Sequence, residues 1–579
     1  MKEAFKHIGW FFKEQWKMYL LCLILLLIVS VVPLIPSKIL GEAIDSISMG
    51  NLTTGKLIFY GLILFICPVV TYIINIFYHY LVTRLGHILS FKLREKYIVH
   101  LFDMDAELYE KYTKGDLISR ATNDLNGLTS LATSFLQHVV FYSATIIAAI
   151  FMMISISPIL TVASVSFMPF VVFFLNKKRL QKRKYYHTHH VIYGTMTESV
   201  LESIEGVKTV RAYCYEENDY KKTEKAIRND VESWWKIQKF ESMFSPLFEL
   251  VYAVSYFIAI GLGTFLVIHG EVSPGSLITY LVYVGTLYGP LIGLSSILNT
   301  MNNIVIADGR FDEIMKAQSK VVDTKDAIDV INFKEIKFNN VSFKYPFDDF
   351  EVIKEINMTI NSGETIGIVG PTGSGKSTLI RQLLREFNVT SGDITIDGKD
   401  IKEFKIEDVR NLVGYVPQNH ILFRRSVDEN ILIGNPSASI QDVENAMKMA
   451  DFKKDLAQLD LGKETMVAEL GESLSGGQKQ RLSIARALVK NPEILILDDS
   501  LSAVDALTEA TIIKELKENR KNKTNIIVAH RFSAVKEADK VIVLQDGRIT
   551  DYGSPSELLK YDNWFKLQYI KQMKGDVYE

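Results

Sequence analysis

The chain has 579 residues, with 65 Lys and Arg against 67 Asp and Glu and a formal net charge of −2. That length exceeds one ordinary domain, and the near-neutral balance carries no electrostatic footprint for nucleic acid. Hydrophobic residues make up 48% and charged residues 23%, and the two are segregated: long apolar runs end near Ile304, and a charged, Gly-punctuated stretch follows.

The first residues, Met1 to Trp10, lack the short apolar core and small-residue cleavage site of a removable signal peptide. Trp10, Phe11, Phe12 and Trp16 interleave with Lys6, Lys13 and Lys17, which predicts an amphipathic helix at a membrane surface. A crossing of the hydrocarbon core needs about 20 apolar residues. Six stretches qualify: Met18–Leu40, Leu57–Val82, Val139–Ile156, Ile159–Leu175, Pro246–Ile268 and Leu277–Ile304. One such run is compatible with a soluble core helix; six in succession predict a multi-pass membrane domain. Of the cysteines, Cys22 and Cys67 lie in these runs and Cys214 outside them, with no CxxC pair, so neither a disulfide framework nor a zinc site is expected.

Basic residues set the orientation. Lys177, Lys178, Arg179, Lys182, Arg183 and Lys184 follow the fourth span, and Arg84, Lys92, Arg94 and Lys96 follow the second. The loop Gly41–Lys56 has a single Lys. Both termini and the segments Thr83–Gln137 and Asn176–Ser245 are therefore expected in the cytoplasm. These segments are too long for connectors and read as membrane helices that continue outward and turn back. Near the turns lie Gly115–Asp124 and Glu205–Glu216. Solvated helix caps and short helices pressing on an ATPase domain both fit that spacing. Glu249, near the start of the fifth span, is the acidic residue closest to hydrocarbon; it fits a functional site or the cytoplasmic interface equally. Tyr256, Tyr283 and Tyr288 fit core packing or an interfacial belt better than a drug cavity.

The expected division is a transmembrane domain over 1–315, a polar linker over 316–333 and a nucleotide-binding domain over 334–579. In the last, short β-rich runs alternate with helical stretches, which predicts an α/β domain with a largely parallel sheet. Thr365–Val369 reads as a buried strand feeding Gly370, Pro371, Thr372, Gly373, Ser374, Gly375, Lys376, Ser377 and Thr378. This is a P-loop in strand–loop–helix context, whose backbone amides and helix dipole receive phosphate. Lys376 is expected on the β- and γ-phosphates of ATP and Ser377 on Mg2+. Ile494–Leu497 is a second buried strand ending in Asp498 and Asp499, and Asp498 is the expected second Mg2+ anchor. Between them, Leu474, Ser475, Gly476, Gly477 and Gln478 form a plausible helix start.

Together these residues resemble the ABC transporter superfamily, whose diagnostic signature is the LSGGQ pentapeptide. The resemblance covers nearly the whole chain and implies a role for each matching residue. Tyr345 looks like the aromatic that stacks on adenine. Gln418 looks like the Q-loop glutamine that touches Mg2+. Ser502 to Asp505 looks like the D-loop, and His530 like the switch histidine that senses the γ-phosphate. Read one by one, Tyr345 also fits a core position, Gln418 a turn and His530 a strand end. One six-span domain fused to one ATPase domain resembles the half-transporters of type IV exporters. That implies a swapped dimer, with Gly115–Asp124 and Glu205–Glu216 as coupling regions. Two residues depart from the pattern: Ala468, before Glu469, stands where Gly is usual, and Asp499 where the catalytic residue is usually Glu. The second departure resembles the degenerate, BmrC-like half of bacterial heterodimeric multidrug exporters.

The resemblance implies a plasma-membrane transport ATPase, using ATP and Mg2+, that exports hydrophobic small molecules beside a second half-transporter. A lipid flippase or peptide exporter of the same architecture, homodimeric or not, is the alternative. Soluble ABC proteins are excluded by the six spans; importers usually place the two parts on separate chains. No Cys protease domain of the peptidase-type peptide exporters is recognised.

Overall fold

The computed structural model describes residues 2–242, 245–468, 471–502 and 504–575, with the side chains of 167–183 and of some scattered helical residues outside the description. The chain forms two compact units. One is helical and comprises Met1–His100 with Gly115–Lys316; the other is α/β and comprises Leu101–Lys114 with Ala317–Glu579.

In the helical unit, five described helices are long and apolar enough to cross a membrane: Trp16–Ser48, Thr54–Phe102, Lys114–Ile156, Glu249–Ile268 and Pro274–Leu294. The expected fourth span, Ile159–Leu175, is helical in backbone over Pro158–Val165 and from Phe167 onward, but most of its side chains lie outside the described residues. The long extensions expected beyond the spans are present as continuous helices, Thr54–Phe102, Phe167–Glu205 and Glu216–Glu241.

Two sequence expectations change in this unit. The loop expected from Gly41 is instead helical to Ser48, because Gly41 packs against Gly275: a side chain at Gly41 would meet the Gly275 carbonyl oxygen at 2.5 Å. Asp45 then accepts from the Gly275 amide at 2.7 Å and from Ser273 Oγ at 2.5 Å, fixing the start of the Pro274–Met315 helix. The Lys2–Glu14 helix forms, but Ile8 and Phe11 are fully buried within the unit, and only Trp10 and Trp16 stay open. His7 lies between Asp308 and Asp312, at 2.8 and 3.0 Å. Tyr283 is core and donates to the Leu34 carbonyl at 3.1 Å, and the Tyr280 hydroxyl pairs with Ser164 at 2.6 Å. Tyr256 and Tyr288 are partly buried about Tyr252, whose ring lies 5.1 and 5.3 Å from theirs.

The α/β unit carries two sheets. Its strands are β1 (Glu335–Phe343), β2 (Ile353–Asn361), β3 (Thr365–Val369), β4 (Ser391–Ile396), β5 (Lys399–Asp400), β6 (Val413–Val416), β7 (Ile494–Asp498), β8 (Thr524–Val528), β9 (Lys540–Gln545) and β10 (Arg548–Gly553). The first sheet is antiparallel, ordered β2-β1-β4-β5; the second runs β10-β9-β3-β8-β7-β6. Within the second, β9, β3, β8, β7 and β6 are parallel and β10 closes the edge antiparallel. The central strands are continuous apolar runs because helices or the other sheet cover both faces; every residue of β7 and β8 is buried.

The expected linker is part of this unit. Asp105 binds the backbone amide of Lys320 at 2.6 Å and the Ser319 hydroxyl at 3.2 Å. The same carboxylate side chain caps the short helix Ala106–Lys111 through the Glu107 amide. Met104, Ala106 and Tyr109 from this segment, with Leu384, Val413 and Tyr415, line a cavity of about 450 Å³. Residues Leu101–Lys114 thus group with the α/β unit, whereas Gly115–Asp124, expected as a coupling region, groups with the helical one. The latter folds into the helical unit, where Asp116 pairs with Arg120 at 2.8 Å and Arg310 at 2.7 Å, and Arg120 with Glu313 at 3.0 Å. At the second expected region, the short helix Val207–Ala212 buries none of its residues within this chain.

Candidate nucleotide site

β3 leads into Gly370, where a side chain would lie 2.0 Å from the Leu544 carbonyl oxygen, so only glycine lets the chain leave the sheet there. Gly375 caps the next helix, Lys376–Leu383, with φ +97, a conformation open to glycine at no steric cost. The first-turn amides of that helix have no intrahelical acceptor and face the loop as an anion site. Ser374 is 3% exposed, yet its hydroxyl has no partner among the described residues. An orphaned buried donor inside a glycine loop fits a ligand rich in acceptor oxygens, such as a nucleotide triphosphate. Lys376 folds over the loop, its ammonium donating to the carbonyls of Gly370 at 2.9 Å and Pro371 at 2.8 Å. Burial lowers its pKa, and the charges of Asp499 and Asp498 oppose that.

β7 delivers Asp498 to the same place. Ser377 Oγ donates to Asp498 Oδ1 at 3.0 Å, and Tyr415 OH donates to Oδ2 at 3.2 Å. Burial raises the Asp498 pKa against these two hydrogen bonds. A hydroxyl and a carboxylate side by side suit Mg2+, which takes few protein ligands and fills its octahedron with phosphate and water. Among the described residues no cluster of three His, Cys, Asp or Glu could hold a metal.

Asp499 has a left-handed backbone, φ +48, and its amide donates to the Val528 carbonyl at 3.0 Å. Gln418 Nε2 donates to Asp499 Oδ2 at 3.2 Å. Asp499, Ser502 and His530 line one narrow cleft. Next to it, Gln572 from the Trp564–Gly575 helix donates to the His530 carbonyl at 2.9 Å and accepts from the Phe532 amide at 3.0 Å. The structure therefore joins Lys376, Ser377, Asp498, Asp499 and Gln418, with His530 beside them.

The remaining predicted residues stand elsewhere in the unit. Ser475 and Gln478 form a reciprocal cap of the helix Gly476–Leu488, with Ser475 and Gly476 exposed. Asp505 caps the helix Ala506–Asn519 through the Thr508 amide and hydroxyl, at 2.9 and 2.7 Å, which holds its pKa down at about 2. Glu469 and Ala503 lie outside the described residues. The Tyr345 hydroxyl meets Thr378 Oγ1 at 3.0 Å, tying the aromatic to the P-loop helix. Sequence reasoning missed Tyr415 as a partner of Asp498, Arg381 as a partner of Tyr345 and Asp105 as an anchor. Tyr415 sits three residues before Gln418, but only the β6–β7 register reveals what its hydroxyl reaches.

Residues 19–291 match the model of the ABC transporter transmembrane region, and residues 353–502 the model described as ABC transporter. The chain is 39% identical over 574 residues to "Probable multidrug resistance ABC transporter ATP-binding/permease protein YheI" of Bacillus subtilis, covering 99% of this chain and 98% of that one. The chain belongs to the ABC transporters. It is also 30% identical to "Multidrug resistance-like ATP-binding protein MdlA" of Escherichia coli, covering 98% of this chain and 96% of MdlA. In fold it is similar to a bacterial Atm1-family ABC exporter solved with ATP bound, with a TM-score of 0.82 over 96% of this chain and 99% of the other, at 24% identity. This ABC transporter is a multi-pass membrane protein and an ATP-hydrolysing transporter, with the helical membrane domain first and the ATPase domain second.

Proposed function

We propose that the chain is one half of an exporter that moves hydrophobic drugs or other amphiphiles out of the cytoplasm or inner leaflet of a bacterial cell. Both termini are cytoplasmic, and the partner is a second half-transporter bearing Glu where this chain has Asp499. The names of the relatives, multidrug proteins across their full length, support the class of cargo. The observation that carries the asymmetry is Asp499 itself, next to a Ser377–Asp498 pair that suits Mg2+.

In this reading Lys376 exchanges the carbonyls of Gly370 and Pro371 for β- and γ-phosphate oxygens, and Ser374 gains an acceptor. Ser377, Asp498 and Gln418 hold Mg2+, which neutralises charge on the transferring phosphoryl group. Gln418 also orients the carboxylate of Asp499 towards the attacking water, and His530 senses the γ-phosphate. A general base must come within about 2.6–3.2 Å of that water. Asp is one methylene shorter than Glu, and a misplacement of about 1 Å costs roughly a hundredfold. This site therefore binds ATP and turns it over slowly, while the partner's Walker motifs, completed by Ser475, Gly476, Gly477 and Gln478 of this chain, do most of the hydrolysis.

The test is asymmetric mutation of the reconstituted pair. Replacing the partner's catalytic Glu by Gln is expected to abolish nearly all turnover, and Asp499→Asn to leave most of it. Brisk hydrolysis by this chain purified alone, lost in Asp499→Asn, would establish a homodimer instead.

A further inference from the structure

Arg381 follows the P-loop by four residues and is absent from every motif of the nucleotide site, yet all three guanidinium nitrogens are engaged. Nη1 donates to the Tyr345 hydroxyl at 3.2 Å, Nε to Glu386 at 2.5 Å and Nη2 to Glu110 at 3.4 Å. Its carbon lies 5.7 Å from the Tyr345 ring centroid and 5.0 Å from that of Phe387. The Tyr345 ring is held in turn by Phe343, edge-on at 5.0 Å, by Phe387, edge-on at 5.5 Å, and by Thr378 through its hydroxyl. Burial works against the guanidinium charge, but Glu386 and Tyr345 outweigh it and the pKa is raised, so the cation is permanent. A guanidinium is planar with a fixed fork. Its three partners therefore share one rigid plate, and a shift of Glu110 turns the nitrogen that fixes Tyr345. Glu110 lies in the Ala106–Lys111 helix, which the chain connects directly to the membrane helix Thr54–Phe102.

We propose that Arg381 is a positioning residue for the nucleotide base: it sets the pose of the Tyr345 platform and links that pose to Glu110. The proposal rests on the reading that this P-loop binds ATP with adenine on Tyr345. It predicts that base affinity and phosphate affinity separate on mutation. The side chains of Lys376 and Ser377 bond to Gly370, Pro371 and Asp498 and the Arg381 guanidinium to Tyr345, Glu386 and Glu110, so a triphosphate without a base is expected to be blind to Arg381.

The test labels this subunit in membranes of the full transporter with 8-azido-ATP and measures competition by ATP and by inorganic tripolyphosphate. Arg381→Met is expected to weaken ATP competition about fivefold, the size of a cation–aromatic contact plus one hydrogen bond, with tripolyphosphate unchanged. Arg381→Lys should behave like the Met variant, because a point charge cannot bridge three partners. Glu110→Ala should weaken ATP two- to threefold, again without change for tripolyphosphate. Tyr345→Phe combined with Arg381→Met should cost less than the sum of the two single changes, since both remove the same Nη1–hydroxyl bond. Equal losses for ATP and tripolyphosphate, full function in Arg381→Lys, or additive effects would each overturn the proposal. A wild-type subunit that binds tripolyphosphate as tightly as ATP would overturn the adenine platform itself, and Arg381's role with it.

Discussion

Lys376 shows how a single side chain is poised. Its ammonium already sits inside the loop, bonded to the carbonyls of Gly370 and Pro371, so the nucleotide competes with the protein's own acceptors for it. Hydrogen bonds to a charged group contribute about 1.5–3 kcal/mol, and phosphate offers Lys376 more than one. Lys376→Ala is expected to weaken azido-ATP labelling of this subunit roughly a hundredfold; undiminished labelling would remove Lys376 from the site. Asp499 gives the complementary case. Its left-handed φ of +48 is one that Asp tolerates better than longer side chains. Asp499→Glu lengthens the carboxylate towards the water and is expected to raise turnover of the pair by up to about twofold, the change from one competent site to two. Steady-state ATPase rates decide it, and a fall to near zero would contradict the assignment of Asp499 as a shortened base.

At the scale of elements, what was legible in the sequence was what a continuous apolar run or a glycine loop can encode. β3 and β7 read directly as buried strands, and the P-loop, Asp498 and the capped signature helix followed from them. Two elements misled. Gly115 and Asp116 carry turn chemistry, yet Asp116 is committed to Arg120 and Arg310, while the carboxylate of Asp105 reaches Ser319 and Lys320, more than 200 positions away in sequence. A cap bonding to a distant backbone leaves no local pattern. Gly41 similarly reads as a helix end, and only its contact with Gly275 explains why the helix continues. Because Asp105 both caps a helix and anchors a second segment, Asp105→Ala is expected to cost about 1–2 kcal/mol of local stability. Amide exchange across 101–114 and 319–321 should accelerate together; acceleration in only one of them would separate the two roles.

At the scale of the whole molecule, the expected orientation can be checked with single cysteines. Asn51 and Glu271 are exposed near the ends of spans, and His190 is exposed on the Phe167–Glu205 helix. Ser273 is unsuitable as a probe, since it caps a helix and donates to Asp45. An impermeant thiol reagent added to intact cells is expected to label cysteines at 51 and 271 but not at 190, nor the exposed native Cys214; the reverse pattern would invert the topology. The grouping of Leu101–Lys114 with the ATPase also bears on severed forms of the protein. A soluble fragment spanning Ala317–Glu579 loses the strip that covers Leu384 and Val413, both buried in the intact chain, and presents oily side chains to water. Such a fragment should be prone to self-association. A synthetic peptide of residues 101–114 should raise its Tm and keep it monodisperse, and the same peptide with Asp105 replaced by Ala should do so less well.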